Sequence, residues 1–579
     1  NTATGKIILG TEYSTGIYVE NVSTVENKGD ITANKKYAVG MAGKSSTLTN
    51  SNTITLKDEN STGIYGEGNS TLLNSGTITV EKASSVGLFA KENTSTTINI
   101  GTIKASGNTS AGMYGEKSRI ENSNSIVVEG TTSAGMYAKN TSAENKNSIS
   151  STGTTSAGML VEITENNINA NGDNIKTINI TGDNSAGMLG KLSAVLSGPQ
   201  LTLTNSDSIN INSSTSVGIM IENALGNNKD NLKGINKGVI TLDQSKIQNI
   251  GIFSDNATGI NENEIRVKGK QSIGMLGKNG SSISNIANAI ITLEEEKGIG
   301  MLSEGTNTVS TNSGTINVEG KESSGMLAKS FGKANNENII DIVGEKGVGI
   351  FVSDTGIGEN KTSGTITLKD KDTVGIFAKN NGNTYSAINS GNIILDTLNS
   401  TKESLIGMFA QSESGEKASV KNSGVITINT KKLVGMYGNN ATTNNISDVD
   451  LSNEGTILIN NEGSAGIYAP KSTVSNVGEI ILSDIADGAS AVYVSKGGKI
   501  NTDTADIKLG IVNQNRVAYY VNGAGSSLSG LNIGKISGYG VGVYLSGSSN
   551  DIAKLDTSTP ILDYTAGANG GNGIIGLLL

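Results

Sequence analysis

The chain has no cysteine and no histidine, which excludes disulfides, thiolate metal sites and the usual imidazole base or metal ligand. Proline is nearly absent (Pro199, Pro470, Pro560), arginine equally so (Arg119, Arg266, Arg516), and aromatic residues make up 4%. Lysines are scattered and the net charge is −9, so the basic footprint that a nucleic-acid partner requires is missing. No apolar run reaches the roughly 20 residues of a membrane helix, and the opening residues do not read as a secretory leader. The segment is therefore expected not to insert into a membrane itself. What the chain does have is 76 glycines among many asparagines, serines and threonines, a composition that suits tight turns between short strands.

The glycines are ordered. A phrase of small residue, glycine, aliphatic and aromatic recurs from Gly16 to Gly542, as in Thr62-Gly63-Ile64-Tyr65 and Ala134-Gly135-Met136-Tyr137, about 21 times in 579 residues. A second phrase follows each anchor, as in Asn74-Ser75-Gly76-Thr77-Ile78-Thr79-Val80, where Ile78 and Val80 alternate with threonines in the period-2 pattern of a half-buried strand. A weaker run, such as Thr71-Leu72-Leu73, lies between them. Three short strands in each 23 to 26 residues predict an all-β parallel β-helix, each strand pairing with its equivalent one turn away. At about 4.8 Å per turn the series predicts one continuous rod of roughly 100 Å over residues 1–579, with 545–579 an irregular final turn. The chain starts and stops inside repeats, which reads as a segment of a longer array. Helical repeats need apolar residues at i, i+3 and i+4, and leucine-rich repeats need LxxLxL; neither spacing occurs.

Strict alternation within the anchor phrase points the residues on either side of the glycine inward, and the glycine and aromatic outward. Ten of the eleven methionines follow the anchor glycine, where a flexible thioether fills the core. The aromatics form an outward column: Tyr18, Tyr65, Phe89, Tyr114, Tyr137, Phe253, Phe351, Phe377, Phe409, Tyr437 and Tyr468. It reads either as a stacking ladder or as an apolar contact surface. The asparagine opening the second phrase (Asn50, Asn74, Asn122, Asn205 and their equivalents) is expected at a corner, in left-handed backbone, bonded to the next asparagine.

Several chemical motifs fail on inspection. Gly571-Asn572-Gly573-Ile574-Ile575-Gly576 matches GxGxxG but lacks the acidic residue about 20 positions on that a dinucleotide site needs. Asn167, Asn169, Asn171 and Gly172 imitate a calcium loop, yet Ile178 stands where the bidentate glutamate belongs. Lys28-Gly29-Asp30 is a variable position of the second phrase. Asp448 and Asp450, two apart, are the one carboxylate pair worth weighing for polysaccharide cleavage. No catalytic, cofactor or metal residues are assigned, and the chain is not expected to be an enzyme.

Repeat length carries more. Anchor intervals grow to 29, 31 and 33 after Gly158, Gly187 and Gly218, and to 32, 28 and 31 after Gly375, Gly407 and Gly435. Insertions in a solenoid emerge as loops, often on one binding face. Candidate binding residues there are Asn166, Asn171, Asp173, Asn227, Asn228, Lys229 and Asp230 in the first group, and Tyr385, Asn399, Lys402, Asn439, Asn440, Asp448 and Asp450 in the second.

The alternating phrases Ser133 to Lys139 (SAGMYAK) and Asn74 to Val80 (NSGTITV) resemble the passenger repeats of the large fusobacterial autotransporter adhesins, over nearly the whole chain. The resemblance implies a right-handed parallel β-helix, displayed by type V secretion on the bacterial surface and tethered to the outer membrane by a carboxyl-terminal β-barrel that this sequence does not contain. It implies cell adhesion in the service of virulence, with a host-cell surface protein, a host glycan or other bacterial cells as partner. No binding residue carries over, because the shared motif is the scaffold. A passive stalk presenting a tip located elsewhere is the alternative, and a polysaccharide-cleaving β-helix enzyme the third.

Overall fold

A computed structural model describes residues 1–92, 96–382, 385–396, 404–413, 416–440, 448–503, 506–512, 514–528 and 536–547, with 501–503 and the short strands at 554–555, 564–565 and 574–578 described as backbone. The chain is an all-β parallel β-solenoid of about 20 turns, three strands to a turn, with almost no helix. Its contacts group it into two units, Asn1–Ile291 and Thr292–Leu579, each built from the same turn.

One turn shows the plan. The anchor strand Thr62–Glu67 leads to the linking strand Thr71–Asn74 and then to the threonine strand Thr77–Val80, before the next anchor strand, Val86–Lys91. Each pairs in parallel, in register, with its counterparts one turn away: Ile64 with Leu88, Leu72 with Thr97, Ile78 with Ile103. Ile64, Leu72, Ile78 and Val80 are fully buried, while Thr71 and Thr79 are half-buried and Thr77 exposed, so alternation works as expected in the linking and threonine strands. The ten methionines that follow anchor glycines, from Met41 to Met436, are also fully buried.

Alternation fails in the anchor strand. The glycine faces inward beside the aliphatic residue that follows it, and the residue before it stays on the outer side. A Cβ on Gly63 would lie 2.5 Å from the carbonyl oxygen of Gly87 and 3.0 Å from Cγ2 of Ile78. The anchor position is thus a close approach of backbone to backbone that only the smallest residue fits easily. Two consecutive inward residues shift the frame by one, so the preceding residue and the aromatic share the outer face.

The asparagine column is real and longer than the second phrase alone reveals. In the first unit each amide nitrogen donates to the next side-chain oxygen at 2.8 Å from Asn27 to Asn285, through Asn50, Asn74, Asn99, Asn122, Asn145, Asn174, Asn205, Asn236 and Asn261. In the second, the series from Asn312 to Asn476 repeats it. These side chains are fully buried, so the ladder satisfies groups that water cannot reach. Their backbone is not left-handed. Positive φ falls instead at the corner before the anchor strand, at Asn60, Ser84, Thr109, Thr132 and Thr155, with φ of 54 to 55°.

Candidate functional site

That frame shift builds an open groove of about 670 Å3 over six successive turns of the first unit. Its floor is the residue before each anchor glycine: Val86, Ala111, Ala134, Ala157, Ala186 and Val217. One wall is the aromatic position, Tyr114, Tyr137, Leu160, Leu189 and Met220; the other is the left-handed corner, Thr109, Thr132, Thr155, Asn184 and Thr215. The adjoining floor positions are Thr62, no larger than Val86 beside it, on one side and the bulkier Ile250 on the other.

Behind the floor a serine ladder consumes its own polarity. The backbone N–H of Ser110 donates to Oγ of Ser133 at 3.1 Å, Ser133 to Ser156 at 3.1 Å and Ser156 to Ser185 at 3.0 Å. Each hydroxyl donates in turn to a carbonyl, as Ser133 does to Gly107 at 3.0 Å. Beyond the aromatic wall a row of charges alternates in sign across paired turns: Glu20, Lys44, Glu67, Lys91, Glu116, Lys139, Glu162, Lys191, Glu222. Unlike charges thus stand opposite each other from Glu20 to Glu222, beyond which Glu222 faces the like-charged Asp255.

The aromatic column is a stacking ladder. Phe89, Tyr114 and Tyr137 stack at 4.7 and 4.9 Å, while Tyr65 meets Phe89 edge-on at 5.3 Å. In the second unit eight rings from Phe351 to Tyr544 follow one another at 4.5 to 5.5 Å. Ring faces that meet one another are closed to a ligand, so the column offers chiefly its edges. Burial raises the Tyr114 hydroxyl pKa to about 12, with Glu116 and Glu162 adding to it. Burial pushes Tyr65 and Tyr137 up further, and their hydroxyls donate to Glu67 at 2.8 Å and Glu162 at 2.6 Å.

The candidate residues of the first lengthened group mostly tie stacked corners together. Asn166 accepts from the Ser197 N–H at 2.9 Å, and the Asn171 N–H donates to Ser142 Oγ at 2.8 Å. Asn169–Asn174 is a strand with Gly172 packed on Met159 and Leu203, so Asn169 and Asn171 are extended, while Asn167 sits at a left-handed corner with φ of 57°. Asp173 is half-buried there, and burial raises its carboxyl pKa. Asn227 is buried: it accepts from the Leu196 N–H and donates to the Ala194 carbonyl and Asn223 Oδ1, each at 2.9 Å. Asn228 caps the 3-10 turn Lys229–Asn231, which carries Lys229 and Asp230, and Asp230 accepts from Thr258 at 2.9 Å. Two apolar side chains crown these corners, Val195 at 66% and Leu225 at 70% exposure.

In the second group Tyr385 donates to Asp450 Oδ2, and Thr473 donates to Asp450 Oδ1 at 3.0 Å. Asp448 and Asn440 are buried and Asn439 half-buried, while Asn399 and Lys402 lie outside the described residues. Asp448 and Asp450 therefore do not form an open carboxylate pair. Nearby a more polar depression of about 670 Å3 is lined by Phe331, Asp354, Thr355, Asn380, Glu416 and Lys417, with Phe331 59% exposed. Sequence reasoning missed both cavities. The signal for the groove was the run of alanines before four successive anchor glycines, where most other turns carry valine, threonine or isoleucine.

A protein-family model described as the BigA third pectate lyase-like domain matches residues 1–120 and 349–445, together fewer than half of the chain. No curated protein and no solved structure matches it.

Proposed function

We propose that the chain is a bacterial surface passenger segment whose solenoid serves attachment to a host-cell protein, a host glycan or other bacterial cells. The observation that carries this reading is the contrast between a uniform scaffold and the features that interrupt it. The asparagine ladder repeats through the turns of each unit and the serine and ring ladders along parts of it, whereas among the described residues the groove and the lengthened corners are local and face outward. A regular scaffold carrying local irregularities on its surface is how solenoids present binding faces. The similarity of two segments to a BigA domain supports surface display. A glycan-array and cell-binding screen of the purified chain tests the reading, and saturable binding to one class of target is expected.

The passive stalk is favoured by one observation: Asn166, Asn227 and Asp450 spend their polar groups on neighbouring turns. An absence of binding in the same screen selects it. Polysaccharide cleavage is the third reading, prompted by the pectate lyase-like wording of the matching family. We propose that the chain is not catalytic, and depolymerisation of acidic and neutral polysaccharides by the pure chain would overturn that.

A further inference from the structure

We propose that the alternating charge row from Glu20 to Glu222, with the apolar column beside it, is a surface on which a second copy of this chain docks antiparallel to form a closed dimer. This goes beyond the attachment reading and does not depend on it. The row occupies one position, two residues after the aromatic, in nine successive turns: Glu20, Lys44, Glu67, Lys91, Glu116, Lys139, Glu162, Lys191 and Glu222. None of these side chains is buried. Of the eight neighbouring pairs along it, two close to ion-pair distance among the described residues, Lys44 with Glu67 at 3.8 Å and Lys139 with Glu116 at 3.4 Å. The other six pairs leave their charges open to a partner.

The alternation decides which partner fits. Each sign returns every second turn, about 9.6 Å apart, so a polyanion or a polycation meets as many like charges as unlike ones and is not selected. A partner carrying both signs at that same period is selected, and this chain itself carries one. Symmetry then decides how two copies meet. A two-fold axis along the row sets every residue against itself, like charge against like. A two-fold axis across the row, midway between Lys91 and Glu116, runs the copies antiparallel. It sets Lys91 against Glu116 of the second copy, Glu67 against Lys139, Lys44 against Glu162 and Glu20 against Lys191, so all eight contacts are unlike. Moving the axis by half a turn faces like with like, and moving it a full turn toward Glu222 sets Glu20 against Asp255. The same rotation lays the apolar column on its own copy, Phe89 against Tyr114 and Tyr65 against Tyr137, so ring edges meet beside the charges. Eight turns at about 4.8 Å, by about 16 Å from floor residue to charge, give about 600 Å2 per copy, at the lower end of the range for specific interfaces.

Sedimentation velocity of the full chain over a range of concentrations tests this. A dimer that dissociates on dilution, and more readily as salt is raised, is expected. Two variants probe the row with residues that neighbouring turns already carry there, K91E/K139E and E67K/E116K. Each turns four of the eight contacts into like pairs and should dimerise at least about tenfold more weakly, with circular dichroism unchanged. Mixed one to one, the two variants make all eight contacts unlike again and should associate as tightly as the parent chain. Four outcomes would each overturn the proposal. They are a parent chain that stays monomeric, which would leave the row to a different protein; variants that associate as the parent does; a mixture that regains nothing; and association that runs on past the dimer. A dimer that attaches to no cell removes only the attachment reading, and a monomer that attaches removes only this inference.

Discussion

Asn205 accepts an amide hydrogen bond from Asn174 and donates one to Asn236, each at 2.8 Å and fully buried. Asn205→Leu would take the acceptor from one neighbour and the donor from the other. Leaving buried polar groups unpaired costs about 1–3 kcal/mol each, so a lower urea midpoint is expected. An unchanged midpoint would show that the ladder contributes little. Tyr114 gives a pH test. Its hydroxyl is raised to about 12 in the folded chain against about 10 when unfolded, so the folded state holds its proton longer. That contribution is complete below about pH 10 and is lost as pH rises toward 12. Tyrosinate absorbance should show Tyr114 titrating about two units late, and Tyr114→Phe should lessen the alkaline loss of stability. At this scale the sequence reveals the ladder only where a recognisable second phrase follows. Asn99, Asn174 and Asn261 belong to the ladder but are not among the asparagines read from the second phrase.

A strand's period is reliable only while its backbone stays regular, and the anchor strand shows the limit. The linking and threonine strands were legible because Leu72, Ile78 and Val80 obey a period of two. The anchor strand was misread because Gly63 and Ile64 both turn inward, a consequence of backbone contact one turn away that composition does not announce. Gly135 tests this. A Cβ there would sit 2.5 Å from the Gly158 carbonyl oxygen and 2.7 Å from Ile149 Cγ2. Gly135→Val should therefore cost about 1–3 kcal/mol or more through overpacking, read as a fall in melting temperature. Gly10, with nothing within 4 Å, is the control, and Gly10→Ala should change stability by less than about 0.5 kcal/mol. Equal effects at both positions would contradict the inward placement. The lengthened corners were visible in the anchor spacing, but their internal ties were not, since hydrogen bonds such as Leu196 to Asn227 join residues 31 apart.

For the molecule as a whole, repetition made the architecture legible: the all-β class, the parallel stacking and the three strands of each turn all follow from two alternating phrases. Function was less so, because it resides where repeats differ, and differences of a few side-chain carbons acquire meaning only once their facing is known. Alanine against isoleucine at the floor position separates a groove from a filled surface. The attachment reading is tested most directly by coating beads with the full chain and counting their adhesion to host and bacterial cells. A second chain, with the corners at 193–199 and 224–231 shortened to the length of neighbouring turns, serves as comparison. Saturable adhesion by the intact chain, reduced severalfold in the shortened one, is the expected result. Beads that do not adhere, or that adhere equally after shortening, would contradict it.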